Sequence, residues 1–404
     1  MQGPWYQNKT LWLWAIYLLI VGTIALRVNV EATHYTTPDS EYYMRVAENV
    51  VVGKGFVSPH PMDYPILEGA IEYPFTIWPV GYPVTISAMM WPTGLDALTS
   101  SKIVNLIFLA FIFLLLQYWF KDDAWLAGLY FLSYGKMEVF SYSWSEAPFL
   151  FFELLLCYWM MQSLTVKKDT WLWAKIGFAL LSLFLFRYAG LIFFFLAAGI
   201  MLYLVWHKHH QKGIQYFVGL SIASIAALFY LYRNYQLSGF YSGMDRIQPE
   251  VESWSYFTLL LLQGLFNELM LARNYFFKGN LDLLFLGLFI LQLALVVWLY
   301  KWRTLYIHKT LLSKTSIILL ACSATYLVGI VILRKIQPFD PFDFRILVFF
   351  STPLFIALFS SIGLPENRAY YRKTVTWIVA FMGICWVMSL PKQFLMERAL
   401  AIFW

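Results

Sequence analysis

Long apolar runs separated by short polar segments recur along the chain of 404 residues. Ten runs are long enough to cross a bilayer, because about 20 helical residues span the hydrocarbon core. The first run has no small-residue cleavage signature after it, so we predict a retained membrane helix rather than a signal peptide. The ten runs begin near Leu11, Ile103, Ala147, Trp171, Tyr188, Ile214, Leu281, Ser316, Ile346 and Thr374.

Charge in the loops adds a further crossing at the short apolar segment from Ala124 to Tyr134. With this crossing and an inner N-terminus, the basic runs of the chain fall on the cytoplasmic side, as the positive-inside rule requires. We therefore predict an all-α polytopic membrane protein of about 11 transmembrane helices, N-in and C-out. The basic runs are Lys167-Lys168, His207 to Lys212, Lys301 to Lys314 and Arg368 to Lys373.

This topology leaves two long outer loops, residues 27–98 and 233–280, within a single transmembrane domain over residues 1–404. We expect no separate soluble domain. In the first loop, a helix is predicted from Asp39 to about Val52. In the second, the segment from Trp254 to Leu271 is apolar but broken by polar residues, which is typical of a helix lying in the membrane interface. The polar residues are Gln263, Asn267 and Glu268.

Composition agrees with this picture: 60% of the residues are hydrophobic, 20% are aromatic and only 13% are charged. The net charge of +6 does not indicate nucleic-acid binding, because the basic residues lie in short loops rather than on one basic stripe. Cys157, Cys322 and Cys385 all fall inside apolar runs, so we interpret them as buried thiols rather than a disulfide framework or a metal site.

Acidic residues near the ends of the predicted helices are the first candidates for chemistry. Asp39 follows a proline, where it could cap a helix or act as a general base, and Glu41 is the second candidate base. Glu146 opens a membrane helix, where it could simply complement the helix dipole. Glu153 lies about two turns deeper on the same face, and an acid at that depth usually has a partner or a wet cavity.

Three arginines, Arg187, Arg233 and Arg345, lie at the outer ends of predicted helices. Each alone is more often an interfacial anchor, and Arg345 lies so close to Asp340 and Asp343 that a local ion pair would explain it. Together, at one depth and beside carboxylates, the three arginines would suit an anionic headgroup. Tyr188 and Tyr82 are candidate further donors to that headgroup.

Seven short motifs occur in order along the chain, and their order resembles the GT-C superfamily of integral membrane glycosyltransferases. The resemblance is nearest to the branch of protein mannosyltransferases and aminoarabinose transferases. The motifs are Asp39 with Glu41-Tyr42-Tyr43 and Ala47, Gly53-Lys54-Gly55-Phe56, Gly81-Tyr82-Pro83, Ser145-Glu146-Ala147-Pro148, Arg187-Tyr188-Ala189-Gly190, Arg233-Asn234-Tyr235 and Asp343-Phe344-Arg345.

This resemblance implies an inverting transfer of sugar from a polyprenyl-phosphate carrier to a hydroxyl on a lipid, glycan or protein acceptor. It implies Asp39 as the base and a site on the periplasmic side of what we expect to be the bacterial inner membrane. No cofactor is required, although a divalent cation could orient the phosphate. Metal ligands remain open, with His34 and His60 available beside the acids of the first loop. The expected contacts to lipid phosphate and sugar are Arg187, Tyr188, Arg233, Arg345, Tyr82 and Glu146.

Three departures from the family pattern are visible. Val80 stands where the family often has a second proline, and Ser40 separates Asp39 from Glu41 where protein mannosyltransferases have an adjacent acidic pair. Many members also carry a large soluble C-terminal domain, which we do not expect here.

Other function classes stay open from sequence. A lipid-linked sugar transporter or flippase would favour inverted repeats and charges at midplane, and we find no repeat. A polysaccharide polymerase and a non-catalytic scaffold subunit are the further alternatives.

Overall fold

The apolar runs fold as helices because a chain in lipid must satisfy its backbone hydrogen bonds within its own segment. A computed structural model describes residues 9–60, 64–66, 69–165, 169–242, 252–275, 282–301, 313–336, 339–363, 371–391 and 394. The helices are α1 (Lys9–Val30), α2 (Pro38–Val51), α3 (Gly81–Thr93), α4 (Ala97–Phe120), α5 (Ala124–Leu129), α6 (Tyr134–Ser141), α7 (Glu146–Thr165), α8 (Leu172–Phe186), α9 (Ile192–Trp206), α10 (His210–Ser238), α11 (Trp254–Leu269), α12 (Leu283–Lys301), α13 (Lys314–Ile336), α14 (Phe344–Ser361) and α15 (Tyr371–Met388).

Ten of the eleven predicted crossings each coincide with one of these helices, the eleventh coincides with the broken segment of α5 and α6, and the prediction of a helical polytopic membrane protein is confirmed. Among the described residues, seven helical segments are long and apolar enough to span a membrane, and two shorter apolar helices accompany them. The number of crossings and their orientation stay predictions. The basic run Lys167-Lys168 lies outside the described residues, as do parts of the runs from Lys301 to Lys314 and from Arg368 to Lys373.

The weak segment that begins at Ala124 is broken into α5, a 3-10 turn over Tyr130–Leu132 and α6. Its start lies beside one end of α1, where Lys9 Nζ contacts Asp123 Oδ1 at 3.0 Å. Its far end lies beside the other end of α1, where Arg27 pairs with Glu138. These two ion pairs are about 27 Å apart along α1, at 1.5 Å per residue, so the broken segment runs the length of that helix. It extends to Ser141, beyond the predicted end at Tyr134.

The first outer loop folds against the end of the bundle that we call the α2 end. Pro38 occupies the first position of α2 and Thr37 is its N-cap, with the Thr37 backbone N–H donating to Ser40 Oγ at 3.2 Å. The alternative in which Asp39 caps this helix is therefore not what the structure shows. Proline at the first helical position moves the cap back to Thr37, so the Asp39 side chain is available for other contacts. Further along the loop, the strands β1 (Val57–Ser58) and β2 (Tyr73–Pro74) form a short antiparallel ladder.

The segment that we predicted to lie in the interface forms α11, but its C-terminal end is buried in the bundle. Glu268 is 5% exposed and the following Leu271 is 6% exposed. Gln292 of α12 holds this end, because its amide donates to Leu269 O at 2.8 Å and accepts from Leu271 N at 3.0 Å. Earlier in α11, a Cβ on Gly264 would lie 2.3 Å from Phe342 O, so glycine permits close packing against the segment before α14. The helix is thus embedded at one end rather than wholly interfacial.

Candidate active site

A cavity of about 380 Å³ opens at the α2 end of the bundle. Six parts of the chain surround it: α2, the segment before α3, the junction between α8 and α9, the segment after α10, the second half of α13 and the start of α14 with the segment leading into it. The charged residues in its wall are Asp39, Arg187, Asp340, Asp343 and Arg345. Its aromatic and aliphatic wall includes Tyr43, Trp78, Phe186, Tyr188, Tyr326, Ile330, Leu333, Ile336 and Phe339.

Arg345 connects the two acids that sequence analysis singled out on α2 and α7. A terminal nitrogen (Nη2) of its guanidinium lies 2.6 Å from Asp39 Oδ2, and its Nε lies 2.6 Å from Glu146 Oε1. The Trp144 ring covers the guanidinium at 4.6 Å and is itself held by a 2.8 Å hydrogen bond from its Nε1 to Thr37 Oγ1. The first turns of α2, α7 and α14 therefore meet at one guanidinium.

Arg187 lies where the chain leaves α8, in an extended conformation with φ −152° and ψ 138°. A 3-10 turn over Tyr188–Leu191 follows, and a Cβ on Gly190 would lie 2.4 Å from the Leu183 backbone, so this reversal requires glycine. Arg187 pairs with Glu146, and its guanidinium lies 5.5 Å from the Phe349 ring. The break in the helix is what turns this arginine towards the cavity.

Glu146 is the centre of the ionic network. Its side chain is fully buried, and both arginines contact the same oxygen, Oε1. The other oxygen, Oε2, has no hydrogen-bond partner among the described residues. A buried carboxylate is costly without opposite charge nearby, so Arg187 and Arg345 keep this acid in place and Glu146 keeps them together.

Two further groups outside the membrane-spanning helices shape the electrostatics of the cavity. Burial raises the pKa of the Asp343 carboxyl to about 6. The backbone N–H of Ile346 and the charge of Arg345 oppose this shift, while Asp340 and Glu146 add to it. Burial also raises the pKa of Tyr43, so its hydroxyl stays protonated at neutral pH. The wall thus combines two guanidinium groups, several carboxyls and neutral hydroxyls.

The structure brings together some of the predicted site residues. Asp39, Arg187, Tyr188 and Arg345 line the cavity, and Glu146 lies directly behind the two arginines. The Tyr188 hydroxyl donates to Thr76 O at 2.7 Å and accepts from Asn234 Nδ2 at 2.8 Å, which fixes the ring at the cavity wall.

The other three predicted site residues do not line the cavity. Glu41 accepts a 3.3 Å hydrogen bond from the Tyr64 hydroxyl and is not in the cavity wall. Tyr82 is fully buried, donates to Asn105 Oδ1 at 3.0 Å and packs edge-on against Tyr43 with ring centres 5.3 Å apart. Arg233 donates to its neighbour Asn234 at 3.3 Å and is partly exposed.

The expected local ion pair of Arg345 with Asp340 or Asp343 is not what the structure shows. The Asp343 carboxylate instead accepts from the backbone N–H of Ile346 at 3.0 Å, as N-cap of α14. Capping turns this carboxylate towards the helix backbone, and the Arg345 side chain reaches Asp39 and Glu146.

Sequence analysis missed several residues that line the cavity or contact its arginines. Tyr43 stood inside a quoted motif but was given no role, Asp343 was considered only as an ion-pair partner of Arg345, and Trp144 directly precedes Ser145-Glu146. A tryptophan beside a candidate arginine site could have been read as a cation–π partner. Tyr326 lies in the middle of an apolar run, and nothing in the sequence distinguishes it from packing.

Glu153 does not belong to the cavity wall. Its carboxylate is fully buried and lies 3.4 Å from the Cys322 thiol on α13. Cys157, Cys322 and Cys385 are all buried and free.

The described part of the chain holds no cluster of three or more His, Cys, Asp or Glu arranged for a metal ion. His34 Nδ1 lies 2.8 Å from Val28 O, and His60 packs near the Tyr73 ring. Metal dependence stays an open prediction.

Comparison with known proteins supplies a fold relationship. No protein-family model matches the sequence, and no curated protein sequence matches it. Among solved structures, apo ArnT from Cupriavidus metallidurans is similar with a TM-score of 0.53 and 14% identity, covering 91% of this chain. The structure of the same protein bound to undecaprenyl phosphate is similar with a TM-score of 0.56 and 11% identity. That comparison covers 94% of this chain and 75% of the ArnT chain. The chain spans 62% of the apo ArnT chain. The protein therefore has an ArnT-like fold.

Proposed function

We propose that the protein is a glycosyltransferase of the GT-C superfamily that transfers a sugar from a polyprenyl-phosphate carrier to a hydroxyl acceptor. The reaction would take place at the outer face of the membrane, which we propose to be the bacterial inner membrane. The observation that carries this proposal is the Asp39 carboxylate beside Arg345 and Arg187 in one cavity. The ArnT-like fold supports it, since one ArnT structure holds undecaprenyl phosphate.

Asp39 would act as the general base. A hydroxyl attacks poorly until a carboxylate takes its proton, and Asp39 is the cavity-lining acid on the helix that the family resemblance points to. Arg345 holds the Asp39 carboxylate at 2.6 Å and so fixes its position. As the acceptor oxygen bonds to the anomeric carbon, the bond from that carbon to the phosphate oxygen breaks. Attack from the face opposite the leaving group inverts the sugar.

Arg187 and Arg345 would stabilise the charge that develops on the departing polyprenyl phosphate. Each guanidinium carries five N–H donors, more than the contacts to Glu146 and Asp39 use. Charge-assisted bonds from preorganised donors to a leaving phosphate are worth most where water is excluded. Glu146 keeps the two arginines adjacent, which makes it a positioning residue in this scheme.

The aliphatic side of the cavity would accept the start of the prenyl chain. Ile330, Leu333 and Ile336 lie along one side of α13, with Leu333 42% and Ile336 75% exposed. A carrier lipid must keep its chain in the bilayer while its phosphate reaches the arginines, and an apolar wall beside a charged one meets both needs.

Purified protein incubated with a polyprenyl-phosphate sugar and a mixture of candidate acceptors should release polyprenyl phosphate. Asp39→Asn should lower the rate by about 10²–10⁴-fold, as expected for loss of a general base. Glu41→Gln is the matched control, because it removes an acid from the same helix that does not line the cavity, and it should turn over at the parental rate.

Full activity of Asp39→Asn would end the assignment of this base. Movement of the sugar-linked lipid from one leaflet of a vesicle membrane to the other, without release of polyprenyl phosphate, would instead indicate a transporter or flippase.

A further inference from the structure

A second cavity, of about 670 Å³, lies at the end of the bundle opposite the candidate active site. It is bounded by the C-terminal ends of α7 and α9 and by the first turns of α10 and α13. Glu146 and Leu164 mark the two ends of α7, about 27 Å apart at 1.5 Å per residue. The two cavities are therefore on opposite sides of the membrane-spanning region.

The rim of this cavity is cationic. His209, Lys212 and Lys314 line it, and the described wall contains no Asp or Glu. The ammonium groups are held in place: Lys212 Nζ donates to Ser163 O at 2.5 Å, and Lys314 Nζ donates to Leu164 O at 3.4 Å. These lysines cap the end of α7, but capping alone needs no cavity beside it. The result is a concave surface with two ammonium groups held at its rim.

The cavity changes from charged to apolar with depth. Ile200 and Leu204 of α9 face Ile318 and Ala321 of α13 across its inner part. Ala321 is seven residues from Lys314, which places it about 10 Å deeper in the bundle. Tyr203 lines the same wall on α9 and is half exposed, as aromatic residues near a headgroup region often are.

We propose that this cavity binds an anionic phospholipid of the leaflet opposite the candidate active site. The phosphate would contact Lys212, Lys314 and His209, and an acyl chain would lie between α9 and α13. The change from a basic rim to an apolar interior favours an anionic amphiphile. A free phosphate ion would leave the apolar part unfilled, and the cationic group of a zwitterionic lipid would be repelled by the basic rim. Basic pockets between membrane helices commonly hold such headgroups. The inference does not depend on the proposed enzymatic function.

Thermal unfolding of the purified full chain in neutral detergent tests this site. Phosphatidylglycerol should raise the midpoint, while phosphatidylcholine and inorganic phosphate should not. In the double variant Lys212→Gln with Lys314→Gln, the apparent affinity for phosphatidylglycerol should fall about 30-fold, because each lysine near an anionic lipid is worth roughly a factor of five. The matched control, Lys175→Gln with Lys208→Gln, removes the same charge from residues outside the cavity wall and should respond like the parent.

The lysines also cap α7, so a variant that keeps them separates lipid binding from capping. Ala321→Phe fills the apolar part and should weaken phosphatidylglycerol binding with both lysines intact. If the double variant does not fold, Ala321→Phe decides alone. An equal shift with phosphatidylcholine, an equal shift with inorganic phosphate alone, or parental binding by either cavity variant would overturn the lipid site.

Discussion

Helix α14 carries two charged clusters that differ in what they can do. In its first turn, Arg345 contacts Asp39 and Glu146 at the wall of the candidate active site. Two turns later, Ser351 joins Lys136 of α6 and Glu268 of α11 in a cluster that does not line that cavity. Both clusters connect distant parts of the chain, and the first lies in the wall of a cavity that a substrate could enter.

The second cluster is internally balanced. Lys136 Nζ lies 3.0 Å from Glu268 Oε1 and 3.1 Å from Ser351 Oγ, and the Tyr130 hydroxyl lies 3.0 Å from the same Oγ. One positive and one negative charge meet, with each side chain no more than 3% exposed. In the first cluster, two arginines contact Asp39 and Glu146, Asp340 and Asp343 line the same cavity, and Glu146 Oε2 is left without a partner among the described residues. We infer that the Lys136–Glu268 cluster serves packing, whereas ligand binding by the Arg345 cluster is what we propose.

The largest expected effect is on stability, and it concerns the second cluster, that of Lys136 and Glu268. Lys136→Met should cost about 3–5 kcal/mol of unfolding free energy, because it leaves the Glu268 charge buried without its partner. The double variant Lys136→Met with Glu268→Met should recover most of that loss, since it removes both charges together. Unfolding in detergent measures both.

Donor turnover per folded molecule should stay near parental in the double variant. If the double variant is as unstable as Lys136→Met alone, or if it folds but has lost turnover, the division between a packing cluster and a ligand cluster fails.

The second largest expected effect is on activity, and it concerns the first cluster, that of Arg345. Arg345→Gln should lower donor turnover by about 10²–10³-fold, the usual loss when one preorganised donor is removed from a developing negative charge. Arg345→Lys should recover only part of the rate, because an ammonium cannot bridge Asp39 and Glu146 as the guanidinium does.

Turnover assays with unfolding curves on the same preparations separate activity from folding. A rate loss that follows the loss of folded protein would assign Arg345 to packing, like Lys136.

The two clusters also show which features of the fold and of the site could be predicted from the sequence. The helices could be predicted because each apolar run must bond its own backbone, and the motifs at Asp39, Arg187 and Arg345 pointed to the residues that meet. The partners could not be predicted, since Arg345 reaches α2 and α7 rather than its neighbours Asp340 and Asp343. Lys136 carried a usable signal: a charge in a membrane segment needs a partner. That argument would have predicted that Glu268 is a buried partner of Lys136 rather than a residue of the membrane interface.

A smaller effect is expected in the pH dependence of stability. The folded pKa of Asp343, about 6, lies above its ordinary value of 3.8, so the folded protein holds a proton that the unfolded chain releases. The resulting stability is fully present below about pH 4 and is lost as pH rises through about 6. Asp343→Asn keeps the cap of α14 and should flatten the unfolding midpoint between pH 4 and 7. An unchanged pH profile in this variant would show that another group titrates there.

The smallest effect should come from Arg233, the predicted arginine that lies outside the cavity wall. Its guanidinium donates to Asn234 at 3.3 Å and lies 5.9 Å from the Tyr230 ring, and it is partly exposed. Substitutions at such positions usually change free energies by less than about 0.5 kcal/mol, so Arg233→Gln should keep donor turnover within about twofold of the parent. Arg187→Gln, made in parallel, removes an arginine that lines the cavity and contacts Glu146. Its donor turnover should decrease to a similar extent as that of Arg345→Gln. Equal losses in Arg233→Gln and Arg187→Gln would restore the three-arginine site expected from the sequence, and would mean that the cavity closes around its ligand by moving α10.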